Sequence, residues 1–185
     1  MKKKEWPNFS NNLISKIGNV IRSGNINYTS GFYGKKFEKK FSFFVGNKYS
    51  VAVCNGTAAL EVVIKSLNLP SNSEILVTAR SFFSSASCIV NTGNKPIFVD
   101  VDLKTQNISV DEIKKKISKK TKAIICVHLG GYPCDMKKIN LLAKKNNIKV
   151  IEDCSQAHGA SIDGKPVGSF GDIATWSFCT DKKLY

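Results

Sequence analysis

The most constraining feature of this sequence is an alternation, from residue 49 onward, of short apolar runs with longer amphipathic stretches. The short runs are rich in β-branched residues and predict strands, whereas the longer stretches have the apolar spacing of helices. Repeated strand–helix units of this kind build a mostly parallel sheet with helices on both faces, which is the α/β class. We predict strands at 49–54, 75–78, 96–101, 123–128, 149–153 and 173–178, and helices at 57–67, 83–91, 110–118 and 136–146.

The first 48 residues have a different pattern. Two amphipathic helical stretches, at 10–22 and 35–45, flank a polar, Gly-containing segment at 23–34. The sequence therefore predicts a helical segment over 1–48 and an α/β domain over 49–185. The nearly continuous apolar runs in that domain indicate strands that are covered on both faces.

The formal net charge of +14 raises the question of a nucleic-acid partner, because clustered basic residues neutralise phosphates. Of the 28 basic residues only Arg22 and Arg80 are arginine, the side chain that most often reads base edges. The lysines are spread thinly along the chain, as a compositional preference for lysine would produce. We therefore predict no nucleic-acid partner, while the positive charge would still attract an anionic small substrate.

The cysteines and the apolar runs indicate a soluble cytoplasmic protein. Six cysteines occur singly, without a CxxC pair, as expected for reduced core residues rather than for disulfides or a metal site. No run approaches the length of a membrane span, and the lysines in residues 1–6 are not followed by the apolar stretch of a signal peptide. We predict neither a membrane nor a metal partner.

Polar residues follow several predicted strands, at the edge where open α/β sheets bind ligands. At Asn55-Gly56-Thr57 the chain enters a predicted helix through a glycine and a small hydroxyl residue. Free N–H groups at such a helix start favour a phosphate, although Asn55 or Thr57 could serve only as a helix cap. A Walker loop is excluded because its lysine is missing.

Two further polar segments could carry chemistry. Asp153 ends a predicted buried strand, where a carboxylate could hold a protonated pyridine nitrogen or merely cap the next turn. Gln156 and His158 have the same two interpretations. Lys182 follows the last predicted strand; in a desolvated pocket it could condense with an aldehyde, whereas in water it would be an ordinary surface residue.

Taken together, these segments resemble the DegT/DnrJ/EryC1/StrS family of pyridoxal-phosphate-dependent sugar aminotransferases. The resemblance extends from about residue 27 to residue 183, and several blocks occur in matching order. The blocks are 55–60, 80–82, 128–136, 152–159, 168–172 and 177–182. The resemblance implies the large domain of a PLP-dependent transferase of fold type I, which is aspartate aminotransferase-like.

The resemblance also implies pyridoxal 5'-phosphate (PLP) as cofactor and assigns residues to it. Lys182 matches the lysine that holds the cofactor as a Schiff base and moves a proton between the substrate carbon and the cofactor. Asp153 matches the acid that pairs with the pyridinium nitrogen. Gln156 matches the residue that contacts the ring or its phenolic oxygen.

Two other roles are carried over in the same way. Phe82 falls where an aromatic ring stacks on the pyridine face, although core packing would explain a lone phenylalanine equally well. The phosphate contacts of the family match Gly56, Thr57 and Ser177.

The reaction implied by the resemblance is transfer of an amino group, usually from glutamate, to a keto group of a nucleotide-linked sugar. The product would enter polysaccharide or glycoside biosynthesis, and the family's active site forms between the subunits of a homodimer. The segment 24–34 resembles a loop near the substrate. Some members remove a hydroxyl group instead and typically carry histidine at the lysine position, so Lys182 favours transamination.

The end of the chain leaves other possibilities open. Family members are about twice this length, and the chain stops three residues after Lys182, so we expect a truncated large domain without the C-terminal small domain. Thr180-Asp181 stands where the family often has Pro-Thr, and no Gly-rich continuation follows Lys183. A non-catalytic remnant or interaction module of the same fold is the alternative. A dinucleotide-binding oxidoreductase fits the alternation but lacks GxGxxG.

Overall fold

The computed structural model describes residues 8–179, which fall into two units that divide between Ala52 and Val53. The first unit contains helices α1 (Asn11–Arg22) and α2 (Tyr33–Val45), in the two stretches where helices are predicted. Ser10 starts α1, because its side chain accepts a hydrogen bond from the Leu13 N–H at 3.2 Å. Gly46 ends α2 with φ of 72°, a left-handed conformation that favours glycine.

The second unit is built on a five-stranded, all-parallel sheet. Its five strands are β1 (Glu74–Thr78), β2 (Lys95–Val99), β3 (Thr121–Val127), β4 (Lys149–Asp153) and β7 (Ile173–Thr175). Their order in the sheet is β2-β1-β3-β4-β7, and each neighbouring pair is parallel. Two short strands between β4 and β7 form an antiparallel ribbon, β5 (Ser161–Ile162) with β6 (Lys165–Pro166).

Helices cover both faces of this sheet. The four helices are α3 (Gly56–Ser66), α4 (Ser84–Asn91), α5 (Val110–Lys116) and α6 (Met136–Asn146). Alternate residues of each strand point to opposite faces, so the apolar core forms two main clusters. In one, Ile75 and Ile125 pack with residues of α3 and α4; in the other, Leu76 and Ile124 pack with residues of α5 and α6. The predicted α/β class, with a mostly parallel sheet and helices on both faces, is confirmed.

The predicted strand at 49–54 is wrong. Residues 49–53 form no strand, and the side chains of Tyr49 and Val51 are both 75% exposed. Their apolar spacing resembles that of a half-buried strand, but within residues 8–179 no neighbouring strand pairs with them. The last strand is also shorter than predicted, ending at Thr175, and β2 ends at Val99. Beyond it only Val101 makes an isolated bridge, to Ile108.

Within residues 8–179, no helix has both the length and the apolar character that a membrane crossing requires. Helix α1 has no buried residue, and its Leu13, Ile14, Ile17 and Ile21 side chains are exposed.

Removing bulk from the centre of the sheet should destabilise the fold strongly. Ile124 lies on β3 and is fully buried, so Ile124→Ala would leave a cavity that costs about 2–5 kcal/mol. Leu103 is 86% exposed, and Leu103→Ala should change the free energy of unfolding by less than about 0.5 kcal/mol. Urea unfolding of both variants measures the difference. Equal losses would contradict the packing described for β3.

Candidate active site

The carboxyl ends of the parallel strands lie along one edge of the sheet. Asp153, the last residue of β4, is in register with Val127 of β3 on one side and with Thr175 of β7 on the other. The segments that follow β3, β4 and β7 therefore begin next to one another. The candidate residues Gln156 and Ser177 belong to two of these segments.

Asp153 is only 5% exposed, and both of its carboxylate oxygens accept hydrogen bonds. Oδ1 accepts from the Ser155 N–H at 3.1 Å, so the predicted turn cap is present. Oδ2 accepts from Ser85 Oγ at 3.3 Å, and this hydroxyl lies 2.7 Å from Ser81 Oγ. Burial, with a contribution from the negative charge of Asp153, raises the pKa of the nearby Cys88 thiol to about 12. The carboxylate is thus held in place by a serine that the sequence interpretation did not single out.

Gln156 is fixed by the turn that follows β3. Its Oε1 accepts a hydrogen bond from the Gly130 N–H at 2.8 Å, which leaves Nε2 as the available donor. Gly130 and Gly131 have φ of 59° and 86°, so two consecutive residues are left-handed, a conformation that glycine adopts without strain.

Asn107 holds the same turn, a role that sequence reasoning missed. It is 2% exposed; its Nδ2 donates to the Tyr132 carbonyl at 2.8 Å, and its Oδ1 accepts from the Leu129 N–H at 3.1 Å. Asn107 lies in the loop between β2 and α5, and no motif marks it. Its importance follows only from the contact with residues more than twenty positions away.

A polar cradle forms at the start of α3. Asn55 caps this helix, its Oδ1 accepting from the Ala58 N–H at 2.8 Å, so the capping alternative is also realised. A Cβ added at Gly56 would lie 3.1 Å from Ser177 Cβ and 3.5 Å from Ser155 Oγ. Glycine therefore lets two hydroxyl-bearing segments approach the helix start closely. Thr57 lies in the first turn, and the N–H groups and hydroxyls here suit an anion.

The remaining candidates differ in how far the structure describes them. Phe82 follows β1 and is 66% exposed, so core packing does not explain it. Lys182, with the segment 180–185, lies outside the described residues. His158 is 3% exposed and packs against Trp176, at a ring-centroid distance of 5.2 Å, and against Phe178, at 5.1 Å. Burial lowers the pKa of His158, and a backbone hydrogen bond at Ser177 opposes part of this shift.

His128, which follows β3, and Glu152, near the end of β4, form a fully buried pair. His128 Nδ1 accepts from the Cys134 N–H at 3.0 Å, so the ring hydrogen is on Nε2 and is donated to Glu152 Oε2 at 3.0 Å. Glu152 Oε2 also accepts from the Gly168 N–H at 2.9 Å. The other oxygen, Oε1, accepts from the backbone N–H groups of residues 170 and 171 at 2.8 and 2.7 Å.

Hydrogen bonds engage both the His128 ring and the Glu152 carboxylate, so the pair is suited to a structural role. Burial alone would raise the pKa of Glu152, but the hydrogen bonds from His128, Gly171 and Gly168 outweigh it and lower the pKa. Possible ligand atoms of His128, Glu152 and Cys154 lie within 4.8 Å of one another, a spacing that a metal ion could bridge. The ring nitrogens and the carboxylate oxygens are already engaged, and burial raises the pKa of the Cys154 thiol well above its ordinary value.

Residues 7–185, which include all of these groups, match the model of the DegT/DnrJ/EryC1/StrS aminotransferase family. The chain belongs to this family. It is 46% identical over 156 residues to the GDP-perosamine synthase of Escherichia coli O157:H7, covering 84% of this chain and 43% of the relative. It is 42% identical over 170 residues to the dTDP-3-amino-3,6-dideoxy-alpha-D-galactopyranose transaminase of Aneurinibacillus thermoaerophilus, covering 92% and 46%.

Solved structures of aminotransferases share this fold. An aminotransferase from Psychrobacter cryohalolentis matches with a TM-score of 0.95 and 44% identity, covering 98% of this chain and 46% of that one. The PLP form of the Streptococcus pneumoniae protein Spr1654, described as a putative sugar aminotransferase, has a TM-score of 0.91 and 28% identity, covering 96% and 49%. The expected fold, that of the PLP-dependent aminotransferases, is confirmed. The chain spans less than half the length of these relatives.

The buried His158 should make the stability of this family member depend on pH. Burial lowers its pKa in the folded state, so the unfolded chain takes up a proton at a higher pH than the folded chain. The free energy of unfolding should therefore fall as the pH decreases below about 6.5, by up to about 1.4 kcal/mol per pH unit. His158→Phe should flatten this fall. Denaturant unfolding between about pH 7.5 and pH 5 measures both slopes, and identical slopes would contradict the role of His158.

Proposed function

We propose that this chain is the cofactor-binding part of a PLP-dependent sugar aminotransferase. The reaction would transfer an amino group, from glutamate, to a keto group of a nucleotide-linked sugar in polysaccharide or glycoside biosynthesis. One observation carries the proposal: in a member of this family, a buried carboxylate, an oriented amide and a hydroxyl-lined helix start converge at one edge of the sheet. The names of the two relatives, which contain GDP- and dTDP-sugars, support the substrate class.

The ring end of the site fits a protonated pyridine. We assign Asp153 to the ring nitrogen, because a buried carboxylate held by Ser85 keeps a facing N–H group charged. Bound PLP supplies an electron sink, and the charge on its nitrogen strengthens that property. Gln156 is assigned to the phenolic oxygen, since its Oε1 is occupied and Nε2 is the donor. The exposed ring of Phe82 would stack on the pyridine face.

The phosphate end of the site fits the start of α3. Gly56 and Thr57 supply N–H groups at the positive end of this helix, and Thr57, Ser177 and Ser155 supply hydroxyl donors. Ser155 was not among the residues that the family resemblance assigned. Its Oγ would lie 3.5 Å from a Cβ at Gly56, which is as close as Ser177 Oγ.

Lys182 is assigned to cofactor attachment and to proton transfer. Its amine would take the proton from the substrate carbon and return it at the neighbouring cofactor carbon, as a general base and then a general acid. The family members that remove a hydroxyl group typically have histidine here, so Lys182 supports transamination over dehydration. We further propose a homodimer in the cytoplasm; the six free cysteines, four of them buried, support a reducing compartment.

The attachment site can be tested by reducing the chain with borohydride in the presence of PLP. Borohydride fixes the cofactor to the lysine that holds it, so we expect one added pyridoxyl group on the peptide that contains Lys182. Mass spectrometry of the digest locates it. Lys182→Ala should abolish the modification and the visible absorbance of the bound cofactor, whereas the matched control Lys183→Ala should keep both.

A second assay, on the PLP-loaded chain before reduction, separates the two candidate functions, because the reduced cofactor no longer reacts with an amino donor. Release of 2-oxoglutarate from glutamate by the loaded wild-type chain supports an aminotransferase. Modification at Lys182 without this release would support the non-catalytic module. Modification spread over many lysines, unchanged in Lys182→Ala, would overturn the proposed cofactor site.

The phosphate cradle is tested by Gly56→Ala. The added methyl group would lie 3.1 Å from Ser177 Cβ, closer than ordinary contact, so the helix start or Ser177 must shift. We expect PLP to bind roughly tenfold more weakly, about 1.4 kcal/mol. Pyridoxal, which lacks the phosphate, should keep its affinity within about twofold, because the ring contacts are not touched. Absorbance titration with both ligands measures the difference.

The control for this prediction is Gly18→Ala on α1. A Cβ there would meet only the flexible side chain of Arg22, so the affinity for PLP should not change. Equal weakening of PLP and pyridoxal by Gly56→Ala would show that the helix start does not bind the phosphate.

A further inference from the structure

We propose that Glu152, which lies on the opposite face of β4 from Asp153, is the positioning residue of this site. It would hold the candidate cofactor contacts Asp153, Gln156 and Ser177 in their mutual arrangement without touching the cofactor. The inference rests on the proposed function for its link to PLP. The anchoring itself is a property of the protein alone.

The carboxylate of Glu152 has an unusual environment. The side chain of Glu152 is fully buried and accepts four hydrogen bonds, two on each oxygen. Within the described chain the one basic side chain that contacts it is His128, whose Nδ1 accepts from the Cys134 N–H, so this ring donates from Nε2 as a neutral imidazole. A buried charge without a cation is costly unless donors surround it. Four donors from two separate segments, His128 after β3 and residues 168, 170 and 171 before β7, provide this stabilisation and are held in place by the carboxylate in return.

The segments bound by Glu152 lead to the candidate cofactor contacts. Glu152 directly precedes Asp153, and side chains alternate along a strand, so it holds the end of β4 from behind. Through His128 it holds the start of the turn whose Gly130 N–H orients Gln156. Through the N–H groups of residues 168–171 it holds the loop that enters β7, and Ser177 follows that strand. Each candidate contact is therefore one short segment away from the same carboxylate.

A neutral amide cannot replace the carboxylate of Glu152. In Glu152→Gln an NH₂ group takes the place of one oxygen. In one orientation it would face the N–H groups of Phe170 and Gly171, and in the other those of Gly168 and His128. Either way two donors meet a donor, and buried donors lose their partners. The substitution keeps the volume of the side chain, so it tests the charge and the hydrogen bonds rather than the packing.

The test compares amide hydrogen exchange in the wild type, in Glu152→Gln and in the control Glu112→Gln, which removes a carboxylate from a partly exposed ion pair with Lys115 on α5. Exchange at Gly168, Phe170 and Gly171 should be faster in Glu152→Gln because these groups bind the carboxylate directly. The decisive amides are those of Gly130 and Ser155, which bind Gln156 and Asp153 and do not touch Glu152. We expect these to exchange at least about fivefold faster. Glu112→Gln should leave them unchanged.

Binding of PLP gives the second readout. Below the unfolding temperature, Glu152→Gln should bind PLP at least about tenfold more weakly than the wild type, whereas a purely stabilising residue would leave the affinity unchanged. Faster exchange confined to residues 168–171, with unchanged exchange at Gly130 and Ser155, would overturn the inference. Unchanged PLP affinity would overturn it as well.

Failure of the proposed function and failure of the role of Glu152 give different results. If the wild type itself does not bind PLP, the proposed function fails, while exchange at Gly130 and Ser155 still decides whether Glu152 positions these segments. If Glu152→Gln does not fold, His128→Phe removes the Nε2–H donor to Oε2, together with the Nδ1 acceptor of the Cys134 N–H, and leaves the donors to Oε1 intact. It should speed exchange at Gly130 and leave Gly171 unchanged; the opposite pattern would overturn the inference.

Discussion

The parallel pairing of β3 with β1 and β4 is the constraint on which the rest of this structure depends. Nearly every residue of β3 is buried, because a central parallel strand is covered by helices on both faces. Because the strand interiors are covered on both faces, most polar groups lie at the ends of the strands. Since parallel strands end at the same edge, the carboxylate, amide and hydroxyl groups that follow them are brought together there.

The same constraint explains how much of the fold could be predicted. The runs 75–78 and 123–127 are continuously apolar or nearly so, and both lie within strands. The run 49–54 has a similar composition but forms no strand and is largely exposed. Periodicity reports which side chains would fit a buried face, whereas strand formation also needs a neighbour with free backbone groups. No local pattern contains that information.

The residues of the candidate site were likewise predicted only in part. Asp153, Gln156, Gly56 and Ser177 were predicted from motifs, and the structure brings Gly56 and Ser177 into contact. Ser85, Ser155, Asn107 and the role of Glu152 were missed, because each acts through a hydrogen bond to a residue distant in sequence or through a turn. A motif identifies groups that contact a ligand more readily than groups that hold those contacts in place. Lys182 lies beyond the described residues, so its assignment stays a prediction.

The burial of four of the six cysteines has a practical consequence. Cys54 and Cys179 are exposed, whereas Cys88, Cys126, Cys134 and Cys154 are buried beneath the sheet and its helices. Burial raises the pKa of each of these four thiols, so they are not reactive thiolates in the folded chain. An alkylating reagent can reach them only when the surrounding structure opens. Their modification rates therefore report, thiol by thiol, how often each part of the interior is transiently exposed to water.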